Sequence, residues 1–201
     1  MSDSFRADDS FQPPPELLEA WHSIPEIVKI GYPTLRQVAQ PVARITREIR
    51  DTVEVMMDIM ERARGLGLAA PQIGLPYRLF IYNMGEGVKV MINPELLELT
   101  GEQLGPEGCL SIPGLIGDVP RANELRIKAY DIRGRMVSRK VSELEARVIQ
   151  HENDHLDGVL FIDKAIPETL EWHYGSTDED NAESDEREPP KTRHKKRRRG
   201  K

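Results

Sequence analysis

The chain has 201 residues, with 28 Lys or Arg against 34 Asp or Glu and a formal net charge of −6; this fits one ordinary domain with tails and makes the body a poor nucleic-acid platform. A single cysteine, Cys109, excludes an intramolecular disulfide and fits a reducing compartment. No apolar run approaches the ~20 residues that a bilayer requires, and Asp3, Asp8, Asp9, Glu16 and Glu19 against Arg6 are unlike a signal or transit peptide, so the expected location is cytoplasmic.

Residues 1–23 hold Pro13-Pro14-Pro15 without sustained periodicity and read as a poorly structured extension, with at most a helical turn over 16–21. The folded domain is expected over 24–174 and opens on a short extended stretch punctuated by Gly31 and Pro33. Thr46 is placed to cap a helix in which Ile49, Val53, Met56, Met57, Met60 and Ala63 recur at helical spacing, with Gly65 as its stop. The methionine stripe fits core filling better than a soft-metal surface. Residues 65–74 are small and apolar, with glycines suited to close backbone approach; lacking a Gly-Lys-Ser/Thr ending, they do not form a phosphate cradle.

Residues 77–83, 88–93, 96–103, 124–131 and 135–141 read as strands, and short glycine-bearing turns such as Gly85-Glu86-Gly87 imply antiparallel pairing. Residues 106–114 are too rich in Gly and Pro for a regular element, yet they hold the one cysteine. A second helix is expected over 142–157, with a capping box from Ser142 and Glu145, a stop at Gly158 and an inward stripe of Leu144, Val148, His151 and His155. Residues 161–163 suit a short strand or packed segment, and 167–174 a terminal helix. The expected class is α+β, with mostly antiparallel sheets packed around a central metal-binding helix and a second amphipathic helix near the N-terminal side. Residues 175–201 read as a disordered tail, acidic over 178–188 and basic over 191–201. The basic end has the composition of an RNA-contacting arm, which makes ribosomal RNA a candidate partner beside the plainer reading of a solubilising tail.

The segment His151-Glu152-Asn153-Asp154-His155 carries the chemistry. Two imidazoles at i and i+4 lie on one helix face and can address one metal ion. Glu152 stands about 100° away, where it can reach a water without occupying the metal. Two protein ligands hold a metal poorly, and Cys109 is the natural third. Asp154 and Asp157 compete, but oxygen ligands from the same turn would crowd the imidazoles, so a supporting or helix-end role suits them better. A Cys-His-His set accepts zinc, iron, cobalt or nickel.

Three segments in order, Gly65-Leu66-Gly67-Leu68-Ala69-Ala70-Pro71-Gln72, Glu107-Gly108-Cys109-Leu110-Ser111 and Gln150-His151-Glu152-Asn153-Asp154-His155, resemble the signature of the peptide deformylases. The resemblance runs over residues 24–163, including Ile30 to Arg36 and Val119-Pro120-Arg121, and covers neither tail. It implies removal of the formyl group from the N-terminal formylmethionine of new polypeptides, with release of formate. It also implies one divalent ion, Fe2+ as the usual native metal, on Cys109, His151 and His155. Glu152 would carry the proton, and the Gln72 side-chain amide and Leu110 backbone N–H would meet the oxyanion. An N-formylmethionyl peptide would lie extended along Leu66, Gly67 and Gly108, with Leu66 and Val148 walling the methionine pocket. In one departure, Ile116 stands where many relatives carry a basic residue. A zinc endopeptidase of the His-Glu-x-x-His type is the second enzyme reading, against which the cysteine counts. A structural metal site in an interaction module is the non-enzymatic reading, and it leaves Glu152 without a purpose.

Overall fold

The computed structural model describes residues 13–173 and has α+β architecture. A five-stranded antiparallel sheet runs in the order β1 (Gly67–Ala69), β2 (Leu79–Tyr82), β3 (Lys89–Thr100), β6 (Glu124–Tyr130), β7 (Met136–Ser142). A three-stranded sheet runs β4 (Gln103–Cys109), β5 (Ile112–Arg121), β8 (Glu171–Trp172). Three α-helices are described: the short α1 (Leu18–His22), α2 (Arg47–Arg62) and α3 (Glu143–Leu156).

The two long helices lie on opposite faces of the large sheet, and β2 records the division. Leu79 and Ile81 pack with Ile49, Val53, Met56, Ile59 and Met60 of α2, whereas Phe80 and Tyr82 pack with Ala146, Val148 and Ile149 of α3. Alternate residues of a strand point to opposite faces, so a strand covered on both sides becomes an unbroken apolar run. A third apolar cluster joins Ile112, Leu115 and Val119 of β5 to Leu35, Leu160, Phe161 and Cys109.

The N-terminal end of α2 forms as expected, with the Thr46 side chain accepting from Ile49 N–H. Its other end differs: Arg64, not Gly65, takes the left-handed conformation at φ 51°, and Gly65 N–H closes the turn on Met60 C=O. Met57 faces outward and is not part of the buried stripe. At α3 the expected capping box is absent. Ser142 makes no capping bond, and Glu145 instead pairs with Tyr82, Lys89 and Arg139. Strand β7 passes directly into α3 through Glu143 at φ 53°, whose N–H is held by Asn123 C=O. Tertiary contacts thus set this helix start. Leu144 is 51 % exposed, because the inward stripe begins one turn later.

Other expectations are in part met and in part corrected. Residues 89–100 form one long strand, β3, where two were expected over 88–93 and 96–103, and Gln103 already opens β4; register shifts are taken up where Asn93 and Glu98 adopt positive φ, and the Asn93 amide clasps the backbone of Val42. Residues 106–114 are not a loop but the arms of the β4–β5 hairpin, where Gly and Pro sit on a small, partly open sheet. Residues 161–163 are the expected packed segment, a 3-10 turn with Phe161 and Ile162 buried, whereas in place of a terminal helix a 3-10 turn at Pro167–Thr169 leads into β8, which pairs with Leu115 and Ile116. The folded part also begins earlier than residue 24. A 3-10 turn at Pro15–Leu17 and α1 bury Leu17 and Trp21 against the small sheet. The tail 175–201 lies outside the described residues.

Gly158 stops α3 at φ 71°, and a Cβ there would lie 2.8 Å from the Arg36 carbonyl carbon. Gly158→Ala therefore combines left-handed strain with a backbone clash and is expected to destabilise by more than about 2 kcal/mol. A drop in Tm of about 4–8 °C in thermal unfolding checks this, and an unchanged Tm would refute it.

Candidate active site

Helix α3 brings His151, Glu152 and His155 against the β4–β5 turn, where Cys109 ends β4. Among the described residues, Cys109 Sγ and the His151 and His155 ring nitrogens converge, all within 4.8 Å of one another. Cys109 Sγ lies 3.3 Å from His155 Nε2, and the two rings meet edge to face with centroids 5.0 Å apart. One sulfur and two nitrogens at this span suit a tetrahedral ion with a fourth position open. His151 Nδ1 lies 2.9 Å from Glu107 Oε2, which fixes the ring and leaves Nε2 for the ion, as carboxylate–histidine–metal arrangements do. Asp154 and Asp157 stay outside this cluster. Asp154 pairs with Arg121 and Lys164, and Asp157 pairs with Arg78.

The environment separates the titrating groups. Burial pushes the Glu152 carboxyl up to about 7, His151 pulling against it and Glu107 adding to it. Burial opposes charge on His151 too, but hydrogen bonds to Cys109 and Glu107 outweigh it and raise the imidazole to about 10 in the ion-free site. Burial, with the charge of His151 next, drives His155 well below its ordinary value. A metal needs both rings neutral, so ion and proton compete for His151. Glu152 Oε2 is buried without a hydrogen-bond partner among the described residues, at one end of a cleft of about 510 Å³. An unpaired buried carboxylate oxygen is costly, and such groups concentrate where chemistry needs them.

The remaining expected residues line the same cleft. Gln72 is buried; its Oε1 accepts from Ala69 N–H at 2.8 Å, which turns Nε2 toward Cys109 Sγ and Ser111 Oγ, each at 3.5 Å. Leu110 follows Cys109 in the hairpin turn, and Leu66, Gly67, Gly108 and Val148 form the walls. The Leu66 carbonyl accepts from Asn83 N–H, and Gly67 and Gly108 lie on β1 and β4, each an edge strand of its sheet. Ile116 pairs with Gly108 across the hairpin and gives this wall an apolar side chain. A Cβ on Gly67 would fall 2.4 Å from Glu152 Oε1 and 2.7 Å from its Cγ and Cδ, so Gly67→Ala must displace the carboxylate. The expected result is a loss of about 10²-fold in kcat with metal content retained, read by kinetics beside metal analysis. Wild-type kcat in this variant would show that Glu152 can work from another position.

The residues that sequence reasoning missed stand behind the ligands. Glu107 is buried and accepts from Arg121 through Oε1 and Oε2 at 2.9 and 2.8 Å and from Arg147 at 2.8 Å, besides its contact to His151. Burial alone would raise its carboxyl, but Arg121 and His151 hold it down to about 2. Glu107 and Arg121 both lay inside recognised segments without a role. Arg147, four residues before His151 on the helix face, was the available signal, since a lone arginine among buried positions demands an acid.

Comparison with known proteins agrees with this geometry. A family model described as polypeptide deformylase matches residues 24–171. A peptide deformylase of Syntrophomonas wolfei is 44 % identical over 149 residues, covering 74 % of this chain and 98 % of the relative. The crystal structure of peptide deformylase from Thermotoga maritima superposes with a TM-score of 0.69 at 39 % identity, covering 70 % of this chain and 97 % of that one. A Synechococcus elongatus peptide deformylase in complex with actinonin gives 0.68 at 40 % identity, covering 70 % and 78 %. With the match spanning the hairpin, the Gln72 loop and the His-Glu-His helix in one fold, the chain belongs to the peptide deformylase family of enzymes.

Proposed function

We propose that this chain removes the N-formyl group from the formylmethionine of nascent polypeptides and releases formate, working in the cytoplasm with one divalent ion on Cys109, His151 and His155. Fe2+ is the favoured ion, with Zn2+, Ni2+ or Co2+ compatible with the same donors. When bound, the ion supplies Lewis-acid chemistry, acidifying a water and polarising the formyl carbonyl. Glu152 takes a proton from the attacking water and delivers it to the departing amine. The Gln72 amide, oriented by Ala69 N–H, and the Leu110 N–H donate to the oxyanion. Gly67 and Gly108 let an extended peptide backbone approach, and Leu66 and Val148 enclose the methionine side chain.

The observation that carries this reading is the buried Glu152 carboxylate, its Oε2 without a partner among the described residues, beside a three-ligand cluster in a cleft of about 510 Å³. Formate released from formyl-Met-Ala-Ser, with no cleavage of internal amides, is the expected result. Internal cleavage without formate would replace the reading with an endopeptidase. The ribosomal RNA reading of residues 191–201 rests on composition and lies outside the described residues. Salt-dependent ribosome binding that is unchanged in a chain ending at Gly175 would overturn it.

A further inference from the structure

The cleft does not stop at the deformylation residues. Beside Gly65 and Leu110, its lining also takes in Ala20, Ser23, Ile24, Ile27, Lys29 and Ala63, a groove that belongs to the same cleft. Two of these, Ala20 and Ser23, precede the family match, which starts at residue 24. Their placement follows from helical spacing. Leu17 and Trp21, four apart, are buried, Leu17 lying so close over Gly114 that a Cβ there would meet it at 2.6 Å. The neighbouring face of the same turn then turns Ala20 and Ser23 toward the groove, and Ser23 Oγ folds back onto Ala20 C=O at 2.9 Å, leaving a small, closed wall.

Lys29 gives this groove its charge. Its Nζ donates to Ile27 C=O at 2.6 Å and Ile24 C=O at 3.3 Å, which leaves one of three N–H donors, and it has no acidic partner among the described residues. The nearby Glu26 is held by Arg62 at 2.6 Å. Arg147, which also lines the cleft, is already paired with Glu107. Lys29 is thus a half-buried, pinned cation facing an otherwise apolar groove that is continuous with the site of chemistry.

We propose that this groove is a subsite for the peptide beyond formylmethionine and that Lys29 makes it select an acidic side chain there. The inference rests on the deformylase reading. An acidic group from the substrate would take the remaining N–H of Lys29 and give its ammonium a directly hydrogen-bonded carboxylate. Burial holds the Lys29 ammonium below its ordinary value, against the opposing pull of Cys109 and Glu26.

The test is kcat/KM for formate release from formyl-Met tripeptides carrying Glu, Gln or Lys at the second or third position, with metal-loaded wild type, Lys29→Met and Lys29→Arg. Wild type is expected to favour Glu over Lys by about fivefold at one of these positions, mainly through KM. Lys29→Met is expected to bring that ratio to near one, and Lys29→Arg to retain it. No charge preference in wild type, or an undiminished preference in Lys29→Met, would overturn the subsite while leaving deformylation standing. Absence of formate from every peptide would overturn both readings.

Discussion

Glu152→Ala is expected to lower kcat for formate release by roughly 10²–10⁴-fold, with one metal still bound and KM little changed. The expectation follows from position. Glu152 follows the ligand His151 directly and lies beside the metal cluster, yet makes no hydrogen bond through Oε2. Burial pushes its carboxyl up to about 7 in the ion-free site. Glu152→Gln keeps the shape and removes the base, so it should be as inactive as the alanine variant. Neither variant should lose stability, because each removes a carboxylate whose burial outweighs its attraction to His151. Unfolding measured beside kinetics separates the outcomes. Full activity in Glu152→Gln would end the proton-carrier role, and a destabilised but active variant would make the residue structural.

Glu107→Ala should have the largest effect on the fold. The substitution leaves Arg121 and Arg147 without a carboxylate they both contact, in surroundings where each is nearly fully buried. Removing one partner from a buried ion network costs about 3–5 kcal/mol, or a fall in Tm of roughly 10 °C in a chain of this size. The same change frees the His151 ring, so metal affinity should drop by about 10–100-fold. Linkage gives the sign with pH. Glu107 titrates at about 2 in the fold against an ordinary value near 4.5, so its contribution is complete above pH 4.5 and disappears as pH falls through about 2. Acid unfolding of Glu107→Gln should therefore depend less on pH across that window. Wild-type Tm and metal affinity in Glu107→Ala would contradict the network's role.

How far the molecule was legible depended on the range of the interactions involved. The His151–His155 pair, the Thr46 cap and the α2 core stripe rest on contacts within one or two helical turns, and the sequence displays them directly. Cys109 and Gln72 became legible through the motifs that surround them. The Glu107 network did not, because its partners lie 14 and 40 residues away and nothing local pairs them. The β4–β5 hairpin was hidden by its glycines and prolines, which mark loops elsewhere but here sit within paired strands. Ser142 and Glu145 have the spacing of a capping box, yet Glu145 found Tyr82, Lys89 and Arg139 instead, a tertiary choice that overrode a local one. Leu17 and Trp21 were passed over because a five-residue helix has too little periodicity to announce a buried face.

Metal content measured together with formate release tests the central claim most directly. The chain, purified anaerobically, stripped with a chelator and titrated with Fe2+, should bind one ion per chain and release formate from formyl-Met-Ala-Ser in proportion to occupancy, with Cys109→Ser unable to reach full loading. Undiminished formate release by the ion-free chain would contradict it.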